Sequence, residues 1–145
     1  MTQVSSIKIT PQLIDARGPR FSAALTTLVL SLALVTSSMW IVVAQAIVFA
    51  IGASRGPQFT PYAFIFRTIV KPRLKSAAIS EDIRPPQFAQ SIGLLFALAA
   101  IAGSITGLTG LFVIAVSFAL AAAFLNAVFN FCLGCEVYLL LLRVR

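Results

Sequence analysis

Cys132-Leu133-Gly134-Cys135 is the one stretch whose residue types and spacing suit chemistry, and it holds both cysteines of the chain. Three positions apart on a helix, the two share a face. They come close enough for a disulfide if the turn relaxes, and Gly134 eases that distortion. A cytosolic compartment keeps structural disulfides reduced, so a C-x-x-C facing it is catalytic, sensing or metal-binding. Two thiolates can hold Cu(I), and two copies in a dimer could form a four-sulfur zinc site. The plain alternative is two small, polarizable side chains packing where helices meet.

The pair falls at the end of the last long apolar run, beside Glu136. At a helix C-terminus both the dipole and Glu136 disfavour a thiolate, so a cation has to offset them. Arg17, Arg84 and Arg143 lie at the corresponding membrane level. Arg17 or Arg84, each in an Asp-x-Arg turn, is the expected tuning partner. The chain has no histidine, which removes imidazole acid–base catalysis and His-based zinc or haem ligation. The four acids, Asp15, Glu81, Asp82 and Glu136, all lie outside the deep apolar runs, which argues against a hydrolase or a proton pump. No cofactor and no metal is expected.

The elements that must position this pair are membrane helices. Of 145 residues 59% are hydrophobic and 10% charged, against about 25% charged in soluble domains. The mean hydropathy is +0.99. The bilayer is thus the main solvent. The net charge is +7, but no basic face with interleaved aromatics stands apart from the apolar runs, so no nucleic-acid partner is expected.

Residues 1–14 form a polar tail. The first apolar run starts at Phe21 without a short core and an A-x-A site, so no cleaved signal peptide is expected. No charge occurs from Phe21 to Ser54. One helix of that length would reach ~50 Å against a hydrocarbon core of ~30 Å. The run must turn back, and Thr36-Ser37-Ser38 before Met39-Trp40 is the expected turn, with arms of about 21–36 and 39–54. Residues 15–54 therefore read as a surface turn and a hairpin. Residues 55–87 form a basic loop. In it Thr60-Pro61 caps a short interfacial helix from Tyr62 to Val70, with Arg67, Lys71, Arg73 and Lys75 at the lipid headgroups. Residues 82–136 repeat the plan: a surface turn, helices of about 86–104 and 110–134 broken by Gly103 to Gly110, then C-L-G-C. Residues 137–145 form an interfacial basic tail. Small residues on the last helix, Ala115, Ser117, Ala119, Ala121, Ala122, Ala123 and Ala127, permit close packing. Gln45 and Asn126, amides inside apolar runs, are expected to bond between helices.

The chain repeats itself. Asp15-x-Arg17-x-Pro19-x-Phe21 matches Asp82-x-Arg84-x-Pro86-x-Phe88. Tyr62 with Arg67 is echoed by Tyr138 with Arg143. The expected fold is all-α, with four transmembrane helices as two tandem hairpins in a parallel internal repeat and a short interfacial helix between them. All eleven basic residues then lie on the side of the termini, which places both termini and C-L-G-C in the cytoplasm.

Four segments in this order resemble one bacterial family: I-D-A-R-G-P-R-F at 14–21, Pro61-Tyr62 with Phe66-Arg67 and Pro72-Arg73-Leu74, D-I-R-P-P-Q-F-A-Q at 82–90, and F-C-L-G-C-E-V-Y at 131–138. The chain is similar to the four-helix membrane family numbered four-three-nine-five among domains of unknown function, over about residues 12–143. The resemblance implies a bacterial cytoplasmic membrane protein. It also implies a neighbourhood of thioredoxin-like and sulfurtransferase proteins in actinobacteria, one of which would be a soluble partner.

Three functions follow as expectations. The first is a membrane-bound dithiol in cytoplasmic thiol-redox or sulfur handling, with Cys132 and Cys135 as the working pair and no stand-alone enzyme activity. The second is an accessory subunit of a larger membrane complex, indifferent to Cys132→Ser. The third is a small-solute transporter formed as an oligomer, with a path between the repeats. A homodimer fits any of them.

Overall fold

The computed structural model describes residues 13–15, 17–73, 80–82 and 84–144. The N-terminal tail to residue 12, Lys75 and Arg145 lie outside the described residues. Five apolar or amphipathic helices and one short one follow each other: α1 Arg17–Thr36, α2 Met39–Ser54, α3 Pro61–Ile65, α4 Arg84–Thr106, α5 Thr109–Phe129 and α6 Leu133–Val144. A π-helical turn, Phe66–Val70, continues α3.

Three helices, α1, α4 and α5, are long and apolar enough to cross a membrane. Helix α2 carries no charge and is largely apolar but has 16 residues, or ~24 Å at 1.5 Å per residue. Large apolar side chains such as Val35, Leu95 and Phe118 point outward, and Trp40 at the first hairpin tip is 72% exposed. An outside this apolar is suited to lipid rather than water.

Both hairpin tips are tight. Ser37 adopts φ 53° and Gly107 φ 82°, the left-handed conformation that ends a helix. Ser38 N–H then donates to Ala33 O at 3.2 Å, and Leu108 N–H to Gly103 O at 2.7 Å. The second turn occupies only Gly107 and Leu108, narrower than the Gly103-to-Gly110 stretch that composition suggests.

The hairpins interlock: α2 packs along α4, and α1 along α5. Their seam is built on small residues. Ala33 and Ala100 are fully buried, with Leu30, Val42, Ala97, Ala115 and Val116 around them. Gln45 is buried among them at 1% exposure. Its Nε2 donates to Thr26 Oγ1 on α1 at 3.4 Å, and its Oε1 accepts from Tyr62 Oη at 2.7 Å. Burial pushes the Tyr62 phenol up, which keeps it a donor at neutral pH.

The two surface turns expected ahead of the hairpins pair with each other instead. Leu13–Asp15 (β1) and Ser80–Asp82 (β2) form an antiparallel ribbon, with Leu13 opposite Asp82, Ile14 opposite Glu81 and Asp15 opposite Ser80. Two extended segments brought side by side satisfy each other's backbone groups, which a pattern search on either alone cannot reveal. Asp15 anchors α1. Its Oδ1 accepts from Arg17 N–H and Nε, each at 3.0 Å, its Oδ2 accepts from Arg17 Nη2 at 2.8 Å, and Lys71 Nζ stands 3.6 Å away.

The hydrogen bond from the Arg17 side chain leads in holding the Asp15 carboxyl at about 2, against an ordinary 3.8. A carboxyl depressed on folding contributes stability above its unfolded value, and that contribution is lost as pH falls through the folded one. Asp15→Asn is therefore expected to lower unfolding stability in detergent at neutral pH by roughly 1–3 kcal/mol. The gap from wild type should close between pH 3.8 and about 2. A gap that persists unchanged at the acid end would show that charge is not the source.

Candidate functional site

Helix α5 stops at Phe129 because Asn130 turns left-handed, at φ 55°. Asparagine tolerates that conformation better than other side-chain-bearing residues. Phe131 N–H closes the turn on Leu125 O at 3.2 Å. The exposed carbonyls of this helix end are taken by Arg20 from α1: Nε donates to Ala127 O at 3.0 Å and Nη2 to Val128 O at 3.2 Å.

The chain then restarts as α6, and Cys132 sits immediately ahead of its first residue. Glu136 N–H donates to Cys132 O at 3.0 Å, the first bond of the new helix. Cys135 N–H donates to Cys132 Sγ at 3.1 Å. Sulfur here takes the place that a serine or threonine oxygen takes in an N-cap. This corrects the expectation that C-L-G-C ends a helix. It begins one, and the dipole there favours a thiolate at Cys132. The physical cause is Asn130, which breaks the apolar run before the cysteines.

Cys132 and Cys135 form a disulfide, with Cα atoms 5.1 Å apart. Both are half-buried. Gly134 lets this turn lie against α4: a Cβ built there would stand 2.6 Å from Ala89 Cβ and 2.7 Å from its Cα. The Tyr138 ring packs on Phe88 of α4 at 5.5 Å. Helix α6 is amphipathic, with Glu136 in its first turn and Arg143 in its last, charges that suit the two ends of the dipole. At 12 residues it is too short to span, since ~20 are needed.

Behind the disulfide lies a groove of about 630 Å³ between α1, α4 and α5, roofed by α6. Both cysteines and Glu136 line it, with Ala122, Ala123 and Asn126 of α5 and Gln90 of α4. Gln90 Oε1 is buried and has no hydrogen-bond partner among the described residues. Ala115 packs in the core, Ala119 belongs to both core and groove, and Ala122 and Ala123 line the groove. The small residues of α5 thus serve two ends. A second cavity, of about 520 Å³, lies where Asp15, Phe66, Arg67 and Lys71 meet.

A family model described as a domain of unknown function, DUF4395, matches residues 14–143. The chain belongs to the DUF4395 family. No curated protein and no solved structure matches it. The DUF4395 match takes in β1 from Ile14, every helix but the last residue of α6, and the whole C-L-G-C site.

Within this DUF4395 chain the candidate residues are distributed as follows. Cys132, Cys135, Glu136 and Asn126 share the groove. Gln45 does not reach it, being held by Thr26 and Tyr62. Arg17 is bound to Asp15. Arg84 opens α4, next to the groove-lining Pro85. Arg67 is exposed and donates through Nη1 to Gln58 O at 2.6 Å. Lys71 and Arg73 are exposed on the same segment. No group of three or more metal-binding side chains occurs among the described residues. Sequence reasoning missed Gln90 and Arg20. Gln90 lay inside a quoted motif, yet only its unpaired oxygen marks it. Arg20 looked like another topology charge.

Proposed function

We propose that this protein is a membrane-bound thiol–disulfide exchanger, with Cys132 as the attacked and leaving sulfur and Cys135 as its resolving partner. The observation that carries this reading is the Cys135 N–H on Cys132 Sγ at the start of α6. A soluble partner's thiolate attacks Cys132 Sγ, the Cys132–Cys135 bond breaks, and Cys135 leaves as a thiolate and takes a proton. The partner's second thiolate then attacks its own sulfur in the mixed disulfide. Cys132 leaves with the electron pair, stabilised by the amide and the helix N-terminus. The partner ends oxidised and the pair reduced. A thioredoxin-like or sulfurtransferase-like protein supplies the required chemistry. Glu136 tempers the site, and Arg84, beside the groove-lining Pro85, or Arg17 is the cation assigned to offset it.

The proposed setting is the bacterial cytoplasmic membrane, with α1, α2, α4 and α5 as four spans and both termini inside. The basic residues support it. Arg17, Arg20, Arg67, Lys71, Arg84 and Arg143 all belong to segments at the end away from the hairpin tips. Arg67, Lys71, Arg73 and Lys75 are proposed to meet the lipid headgroups.

The internal repeat is part of the proposal. Ribbon β1–β2 pairs the two matching surface segments about Ile14 and Glu81, as a two-fold axis along the membrane normal would. Arg20 reaches the end of α5, and its counterpart Gln87 reaches the end of α2, with Nε2 on Ala53 O at 2.8 Å. Phe21 packs on Phe66 at 5.8 Å as Phe88 packs on Tyr138. Phe66, rather than Tyr62, is therefore the counterpart of Tyr138.

The test is thiol state in native membranes, read by maleimide mass-tagging from the cytoplasmic side before and after reduction. Both thiols are expected to be masked together and to become taggable together on reduction. Thiols that stay reduced, and untagged until detergent is added, would leave the pair as packing and favour an accessory subunit.

A further inference from the structure

A dithiol that collects electrons from soluble partners must pass them on, and the groove behind it indicates where. Its walls are mostly apolar, it lies among helices long and apolar enough to cross a membrane, and both cysteines line it. Its volume, about 630 Å³, falls in the range of roughly 300–1,000 Å³ typical of small-molecule sites. Gln90 Oε1 is buried in this apolar setting with no partner among the described residues. Gly52 of α2 leaves the space in which the Gln90 side chain lies, since a Cβ there would stand 2.8 Å from Gln90 Cγ and Cδ. With that oxygen against Gly52, the N–H of the Gln90 amide is the group that can meet an occupant of the groove, so the occupant should bring an acceptor. A lipid acyl chain has none.

We propose that the groove binds an isoprenoid quinone and that Cys132–Cys135 reduces it. This rests on the dithiol reading above. The occupant must enter from the bilayer, fill an apolar groove, carry oxygens that bond Gln90 and Asn126, and accept two electrons beside a sulfur. A quinone ring meets all four conditions. In the reaction the Cys132 thiolate adds to the quinone ring. The Cys135 thiolate then attacks Cys132 Sγ, the disulfide forms, and the sulfur–ring bond breaks with its electron pair left on the ring. The two protons of the dithiol end on the ring oxygens. The pair is oxidised and the quinone becomes hydroquinone.

The full-length protein, reduced and placed in phospholipid nanodiscs, is mixed with decyl-ubiquinone. Quinone absorbance and free thiols are followed together. The expected result is loss of one quinone for each dithiol. Ala122→Phe fills the groove away from the sulfurs and should raise the quinone concentration for half-maximal rate by at least tenfold. Gln90→Leu should raise it about tenfold, the effect of one lost hydrogen bond. Neither variant should change exchange with a soluble dithiol. A protein whose oxidised form is reduced by the soluble dithiol but whose reduced form leaves quinone untouched overturns the quinone site and spares the dithiol reading. Groove variants as fast as wild type also overturn it. A protein that exchanges with neither overturns both.

Discussion

Cys135→Ser is expected to leave Cys132 able to attack an oxidised soluble partner, in the reverse of the proposed exchange, with no second thiol of its own to resolve the bond. The variant should accumulate as a mixed disulfide with its soluble partner, separable on a non-reducing gel and released by dithiothreitol. Cys132→Ser should trap nothing and bring exchange down to background. The asymmetry follows from backbone geometry. The donor to Cys132 Sγ is the main-chain N–H of residue 135, at 3.1 Å, and serine at 135 keeps that N–H. Cys135 is the third residue of α6, so its sulfur does not hold the cap position that Cys132 Sγ holds. A helix N-terminus contributes about 1–2 kcal/mol to a partly buried anion, so Cys132 in Cys135→Ser should be alkylated at neutral pH roughly 5–30 times faster than Cys135 in Cys132→Ser. Equal rates, or a faster Cys135, would remove the helix start as the activating feature and with it the assigned order of attack.

That order is the part of the site least legible in the sequence. The cysteines, their spacing and Gly134 were plain. What could not be read was the side of a helix break on which they fall. Asn130 is one residue in a run from Phe88 to Cys135 that carries no charge, proline or glycine cluster near its end. An apolar run looks continuous whether or not one asparagine turns left-handed within it. The hairpins were legible because chain length against bilayer thickness forces a reversal, and the cap at Thr60 was legible because threonine before proline has a mechanism. Thr60 does accept from Ala63 N–H, at 3.2 Å. Ribbon β1–β2, Arg20 on the end of α5 and the unpaired Gln90 oxygen are contacts between segments far apart in the chain. No local pattern encodes them.

Under the proposed repeat, Thr60 and Cys132 hold the same place in the two halves. Thr60 Oγ1 accepts from Ala63 N–H, and Cys132 Sγ accepts from Cys135 N–H. Phe66 and Tyr138 follow at matching distances and pack on matching phenylalanines. In the first half the cap is buried, with Thr60 at 1% exposure and Ala63 at 8%. In the second the pair is half-exposed and stands at a groove. The proposed dithiol is thus a capping position turned outward, and under the proposed repeat its geometry depends on the two halves holding a common axis.

The axis makes the second large prediction. Ala100 stands to Ala33 as Asp82 stands to Asp15, and both alanines are fully buried where the interlocked hairpins meet. Each is small because the helices approach closely there, as small residues allow in membrane bundles. Adding three carbons in a filled core costs about 1–3 kcal/mol through displaced neighbours. Ala33→Leu and Ala100→Leu are therefore each expected to lower unfolding stability in detergent by that amount, and by similar values. Ala102→Leu, on the exposed face of α4, should stay within about 0.5 kcal/mol of wild type. Because the dithiol is seated by α4 through Ala89 and Phe88, both core variants should also broaden the reactivity of Cys132 before the protein unfolds. A strong effect at one alanine and none at the other would mean that the halves pack by different rules. The two-fold relation would then be confined to the surface segments, and the likeness of the Thr60 and Cys132 turns would have to rest on local capping alone.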